Sequence, residues 1–155
     1  ADFAKNSSSA GFDGVITNPP YLDPASSRGS PDPLRRAATV ESMPLDAWLG
    51  ACMGLLKLGG ELVVVHRADR AGELAEVLGR MAGSVMIMEL RAGGADDAPA
   101  RRILARARLG EKKPRSHARP LILHRADGSN TSDAEAILRH GAALDWVALG
   151  AGDTK

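Results

Sequence analysis

The chain has 155 residues, 44% of them hydrophobic, and a net charge of +1. That is one domain or a large part of one, with enough apolar material for a core built from Ala, Leu and Val, since aromatic residues are scarce. A single cysteine, Cys52, excludes an internal disulfide and a cysteine-based zinc site. No run approaches the ~18 consecutive apolar residues of a membrane helix, and the amino end lacks a signal-peptide pattern, so a soluble cytoplasmic protein is expected.

In chain order, Phe12 to Thr17 reads as a short buried strand. Leu22 to Thr39 is rich in Pro, Ser, Asp and Arg without periodicity and reads as a long loop, of the kind that is usually functional or mobile. Pro44-Leu45-Asp46 opens a helix to Leu58, with Leu45, Trp48, Leu49, Cys52, Leu55 and Leu56 at the spacing of one buried face. Gly59-Gly60 is expected to cap it. Leu62 to Val65 is apolar on both faces, as in the middle of a helix-covered parallel sheet. A second helix is predicted over Arg70 to Met81 and a strand over Val85 to Leu90. Arg102 to Leu109 alternates small apolar residues with arginine and reads as a half-exposed strand near an edge. Pro120 to His124 is a short extra strand. Ser132-Asp133-Ala134-Glu135 is a capping box for a helix to His140, stopped by Gly141.

This order argues a doubly wound α/β sheet, mostly parallel with an antiparallel edge. Ligands bind such sheets at the carboxyl ends of the strands, and Asn18-Pro19-Pro20-Tyr21 stands at such an end. The turn suits a planar NH2 group. The Asn18 side-chain oxygen and the Pro19 carbonyl are acceptors. The prolines remove backbone donors and lock φ. Tyr21 offers a stacking face of the kind used for splayed-out bases. Methyl transfer to an exocyclic or amide nitrogen is the chemistry this suggests. From Arg91 to Arg125 there are ten Lys/Arg against three acidic residues. That run is either a phosphate-binding surface or a solvated face. Ala- and Arg-rich usage fits a high-GC bacterial gene.

The run Phe12 to Tyr21 resembles motif IV of class I S-adenosylmethionine-dependent methyltransferases that modify amino or amide nitrogens. Pro99 to Leu104, Lys112-Lys113, Pro120 to His124 and Glu135 to Gly141 resemble the tail of tRNA1(Val) adenine-N6 methyltransferase-like proteins. The resemblance covers about residues 2 to 145, but only the second half of the family's domain, strands 4 to 7 of a Rossmann-like sheet. It implies a domain part over 1–145 and a flexible tail over 146–155. The family's Gly-rich loop after its first strand and the acidic residue of its second strand are absent. Because the chain opens on Ala1 and enters the pattern abruptly, a fragment is expected.

The resemblance implies S-adenosylmethionine as cofactor and tRNA as substrate. Asn18, Pro19, Pro20 and Tyr21 would be catalytic, with Asp2, Phe3 and Asn18 touching the cofactor; Asp2 reads equally well as a surface acid. Tyr21 would stack on the target base. Arg28, Arg35 and Arg36 either contact substrate phosphate or face water. No carboxylate is assigned as a general base: Asp23, beside Pro24, reads as a turn residue. His66 reads as a satisfied polar residue at a strand end, with a substrate contact as the alternative, Trp48 as core and Cys52 as a buried thiol; His117 and His124 do not argue a metal site. The alternatives are a glutamine-N5 methyltransferase of a release factor, or a non-catalytic RNA-binding or partner fragment.

Overall fold

The computed structural model describes residues 11–20, 43–93 and 99–146. Its elements are β1 (Phe12–Thr17), α1 (Leu45–Met53), β2 (Leu56–Arg67), a 3-10 turn (Ala68–Arg70), α2 (Ala71–Met81), β3 (Ser84–Gly93), β4 (Arg102–Arg108), β5 (Ser116–His117), β6 (Leu121–His124) and α3 (Ser132–His140). Among the described residues six strands form one sheet in the order β1-β2-β4-β3-β5, with β6 continuing beside β3 beyond β5. Only β4 runs against the others. The mostly parallel α/β sheet is therefore present as expected.

Helices α1 and α2 cover one face of the sheet. Leu49, Leu74 and Leu78 from the helices meet Leu62, Val64, Ile103, Ala105 and Ala107 from β2 and β4, all essentially inaccessible to solvent. The helix spacing and the two-residue strand period put these apolar positions on facing surfaces. Each large aliphatic side chain so buried stabilises the fold by about 1.5–3 kcal/mol. Small alanines on β4 let α2 approach the sheet closely.

Four local expectations are corrected. First, α1 ends at Met53, and β2 already begins at Leu56. Gly59-Gly60 is not a helix cap but a strand irregularity. The β1–β2 register slips between Phe12↔Leu56 and Gly14↔Glu61, and Gly59 has φ +82°. A Cβ on Gly60 would stand 2.9 Å from the Lys57 carbonyl oxygen and 3.0 Å from that of Phe12. The periodicity of Leu55 and Leu56 suited a helix, but pairing with β1 won.

Second, β1 is not buried: Phe12 is 60% and Ile16 80% exposed. Val15 packs against the core, while Ile16, on the opposite face by strand alternation, has no described helix over it. Third, Arg102 to Arg108 is not near an edge. It lies between β2 and β3 and is hydrogen-bonded to both. Its charged residues fall on the sheet face away from α1 and α2, where Arg106 and Arg108 reach Glu61. Fourth, α3 is capped one residue earlier than expected. The Thr131 side chain accepts from the Ala134 N–H at 3.2 Å, and Gly141 closes the helix at φ 66°.

The Arg106 guanidinium lies 4.9 Å above the ring centre of Trp146. Among the described residues, no helix is long and apolar enough to cross a membrane.

Candidate functional site

The parallel strands place their carboxyl ends along one rim of the sheet. β1 reaches that rim at Thr17, paired with Val64 of β2, and Asn18-Pro19-Pro20 follows at once. Asn18 is exposed, Pro19 is fully buried and Pro20 is half-buried. The turn therefore has a sunken anchor, while its amide side chain stands in solvent at the rim.

A second tie comes from α1. The Trp48 indole N–H donates to Thr17 Oγ1 at 2.9 Å, across 31 residues of sequence. The Cys52 thiol, one turn further along α1, is pushed above its ordinary pKa by burial, with an opposing hydrogen bond from Thr17. A raised pKa makes the thiol a poorer nucleophile, and Cys52 is partly buried, packed against the core. Trp48 does more than fill the core. The signal was present in the sequence: a half-buried indole N–H needs an acceptor, and Thr17 stands one residue before the motif.

His66 is fully buried near the carboxyl end of β2 and faces the helix side with Leu62 and Val64. It lies within electrostatic reach of Asp69 and Glu73. Its ring is inside the protein. The nearby acids are committed to ion pairs. The Arg67 guanidinium beside Asp69 holds that carboxyl below the usual range, and Arg70 does the same for Glu73 at 2.7 Å. Glu89 pairs with Arg91 at 2.8 Å. Asp69, Glu73, Glu111 and Asp127 are all held below the usual carboxylate range by neighbouring cations or hydrogen-bond donors.

Because the folded pKa of Glu73 is depressed, its pair with Arg70 stabilises the fold above the ordinary carboxylate range and is lost as pH falls through the folded value. The side chains are 24% and 48% exposed, so solvent screens the pair. We expect Glu73→Gln to lower stability by about 0.5 kcal/mol at neutral pH. The difference from wild type should vanish in strong acid, as urea denaturation at the two pH values would read.

The basic run divides in space. β4 starts at the motif rim, where Arg102 pairs with Arg67 and Leu90, and ends at the opposite rim, where Arg108 pairs with Glu61 and Ser84. Thus Arg91, Arg101, Arg102 and Arg125 belong to the motif rim. Lys112, Lys113 and Arg115 belong to the far one, where Lys113 pairs with Glu111 and its backbone N–H donates to Gly83. Among the described residues, no group of three or more His, Cys, Asp or Glu side chains could hold a metal ion. Tyr21, Asp2, Phe3, Arg28, Arg35 and Arg36 lie outside the described residues, as does Asp23.

No family model matches the sequence, and no curated protein does. The structure is similar over 86% of the chain to a predicted O-methyltransferase from Agrobacterium tumefaciens, with a TM-score of 0.65 and 22% sequence identity. The chain has a methyltransferase fold. It spans about half, 53%, of that neighbour's length. A modification subunit of a putative type I restriction enzyme from Vibrio vulnificus aligns over 88% of this chain and 33% of its own. At TM-score 0.43 and 15% identity that likeness is too loose to carry an argument. Within the methyltransferase fold, Asn18 stands where ligands meet open α/β sheets, at the carboxyl ends of the strands.

Proposed function

We propose that this chain is the substrate side of an S-adenosylmethionine-dependent methyltransferase acting on an exocyclic amino nitrogen, adenine N6 in tRNA. The observation that carries the reading is the Asn18 turn: an exposed amide between an anchored Thr17 and a buried Pro19, at the carboxyl rim of a methyltransferase fold.

The described residues fit the cofactor at one point, since Asn18 is exposed at that rim. Asp2 and Phe3 are the further contacts the motif spacing proposes. When bound, S-adenosylmethionine supplies an electrophilic methyl on sulfur. The protein's part is alignment and polarisation. Asn18 Oδ1 and the Pro19 carbonyl oxygen accept hydrogen bonds from the substrate NH2. That draws the nitrogen away from conjugation with its ring and exposes its lone pair. Positive charge develops on nitrogen during transfer, so these oriented dipoles act more strongly in the transition state than in the ground state. Tyr21 stacks on the flipped base.

The structural neighbour is described as acting on oxygen. An NH2 group needs acceptors, which this turn offers. A glutamine amide presents the same NH2, so the release-factor reading shares the turn. The basic residues at the motif rim favour RNA.

Tritium transfer from labelled cofactor to unmodified tRNA, ribosomal RNA and a release factor, with calorimetric titration of S-adenosylmethionine alongside, tests the reading. Labelled N6-methyladenosine in digested tRNA is the expected product. Label in release-factor glutamine would replace the substrate, and failure to bind the cofactor would leave a non-catalytic RNA-binding or partner fragment.

The division of the basic run yields a further expectation. Arg101 and Arg125 are exposed at the motif rim, and strand spacing puts β6 roughly 19 Å from β1. Arg101→Glu with Arg125→Glu should weaken tRNA binding about tenfold or more and flatten its salt dependence by one to two counterions. Lys112→Glu with Arg115→Glu, at the far rim, should change both much less. Filter binding across a salt series reads both pairs.

A further inference from the structure

Resting on the methyltransferase reading above, we propose that Trp48 is a positioning residue: its indole N–H aims the Asn18 side chain by fixing the residue before it. Three observations converge on this. Thr17 is the last residue of β1, and its backbone is already paired with Val64. Its hydroxyl, turned toward α1, accepts from Trp48 Nε1 at 2.9 Å. On the other side of Asn18, Pro19 is fully buried. The exposed amide thus hangs between two fixed neighbours.

The donor stands on a rigid element. Leu45, Leu49 and Met53 seat α1 in the core, and Trp48 itself packs against that core. A side chain held by such a supported contact keeps its aim where a loop residue alone would not. Aim matters here because an error of about 1 Å at the reacting group can lower a rate about 100-fold. The hydrogen bond also ties the end of β1 to the start of α1, the two described segments that flank residues 21–42. A merely structural tryptophan would contribute burial alone. Trp48→Phe keeps the ring and removes only the N–H, so the two roles separate.

The probes are AMP, which carries the exocyclic amine, and IMP, which has a carbonyl oxygen in its place. Calorimetry on the 155-residue chain measures both affinities, and a thermal melt accompanies each variant. We expect wild type to prefer AMP roughly tenfold, about the worth of one hydrogen bond, and Asn18→Ala to abolish the preference. Trp48→Phe should reduce it to about twofold while Tm moves by no more than about 3 °C. Thr17→Val should lose at least as much as Trp48→Phe, since it removes both the Trp48 bond and the bond to Cys52, and the double variant should lose no more than Thr17→Val, because the Trp48 bond is already gone. Thr17→Ser, which keeps the acceptor, should restore the preference.

Retention of the preference by Trp48→Phe and Thr17→Val, with its loss in Asn18→Ala, overturns the role of Trp48 and leaves the site intact. No preference in wild type, or none lost in Asn18→Ala, overturns the nitrogen site itself and the role of Trp48 with it. If Trp48→Phe melts far below wild type, the threonine pair decides. Equal loss in Thr17→Val and Thr17→Ser overturns the proposal, as does loss of the preference in Cys52→Ala; loss in valine, with the preference kept in Thr17→Ser and Cys52→Ala, supports it.

Discussion

Asn18→Ala is expected to lower methyl transfer by about 100-fold or more, the size seen when one oriented polar group facing developing charge is removed. Its effect on stability should be small, because Asn18 is exposed and adds nothing to the core. Thr17 and Pro19 keep the backbone of the turn in place without the Asn18 side chain, the first through Trp48 and β2, the second through burial. The variant therefore removes an acceptor and leaves the turn standing. Asn18→Asp keeps an acceptor but adds a charge and removes the amide donor. It should recover part of the rate and give it a dependence on pH through the carboxylate range. Single-turnover rates with labelled cofactor and tRNA, measured beside calorimetric cofactor affinity, distinguish lost chemistry from lost binding. Full activity in Asn18→Ala would remove the turn from the mechanism.

Gly93→Ala is expected to destabilise the fold by roughly 3 kcal/mol, a fall of about 6–12 °C in Tm for a chain of this size. Two separate causes add. Gly93 has φ +90°, a conformation an L side chain adopts at a penalty of about 1–2 kcal/mol. Its added Cβ would also fall 1.8 Å from the carbonyl oxygen of His124, its register partner on β6. Backbone cannot swing aside as a flexible side chain does, so β6 must separate from β3 there. Gly128→Ala is the control. Its φ is +82°, yet nothing lies within 4 Å of the added Cβ, so only the conformational penalty of about 1–2 kcal/mol remains. Thermal melts of the two variants isolate the clash. Since β6 leads into Arg125 at the motif rim, Gly93→Ala should also weaken tRNA binding, and Gly128→Ala should do so less.

The helices were legible wherever one amphipathic face decided them. Leu74, Val77 and Leu78 mark α2, and Gly141 marks the end of α3. Legibility failed where two local tendencies competed. Leu55 and Leu56 continue the helical spacing of α1, but the backbone of β1 required a partner, and Leu56 became the start of β2. It failed again at β4, where arginines alternating with alanines resemble an edge strand. Those arginines lie on the sheet face that α1 and α2 do not cover, and Glu61 on the neighbouring strand takes up Arg106 and Arg108. Charge on a strand reports which face it meets, not how many neighbours flank it.

By itself the sequence determined the alternation of helices and strands, and with it an α/β sheet having Asn18-Pro19-Pro20 at a strand end. Those features depend on local periodicity and on what proline forbids, and both are written in adjacent residues. Only the tertiary structure decided that β4 inserts between β2 and β3, that the basic run is split between two rims, and that Trp48 reaches Thr17. These depend on strand order and on contacts across tens of residues, where direction and register are set by packing that no single segment encodes.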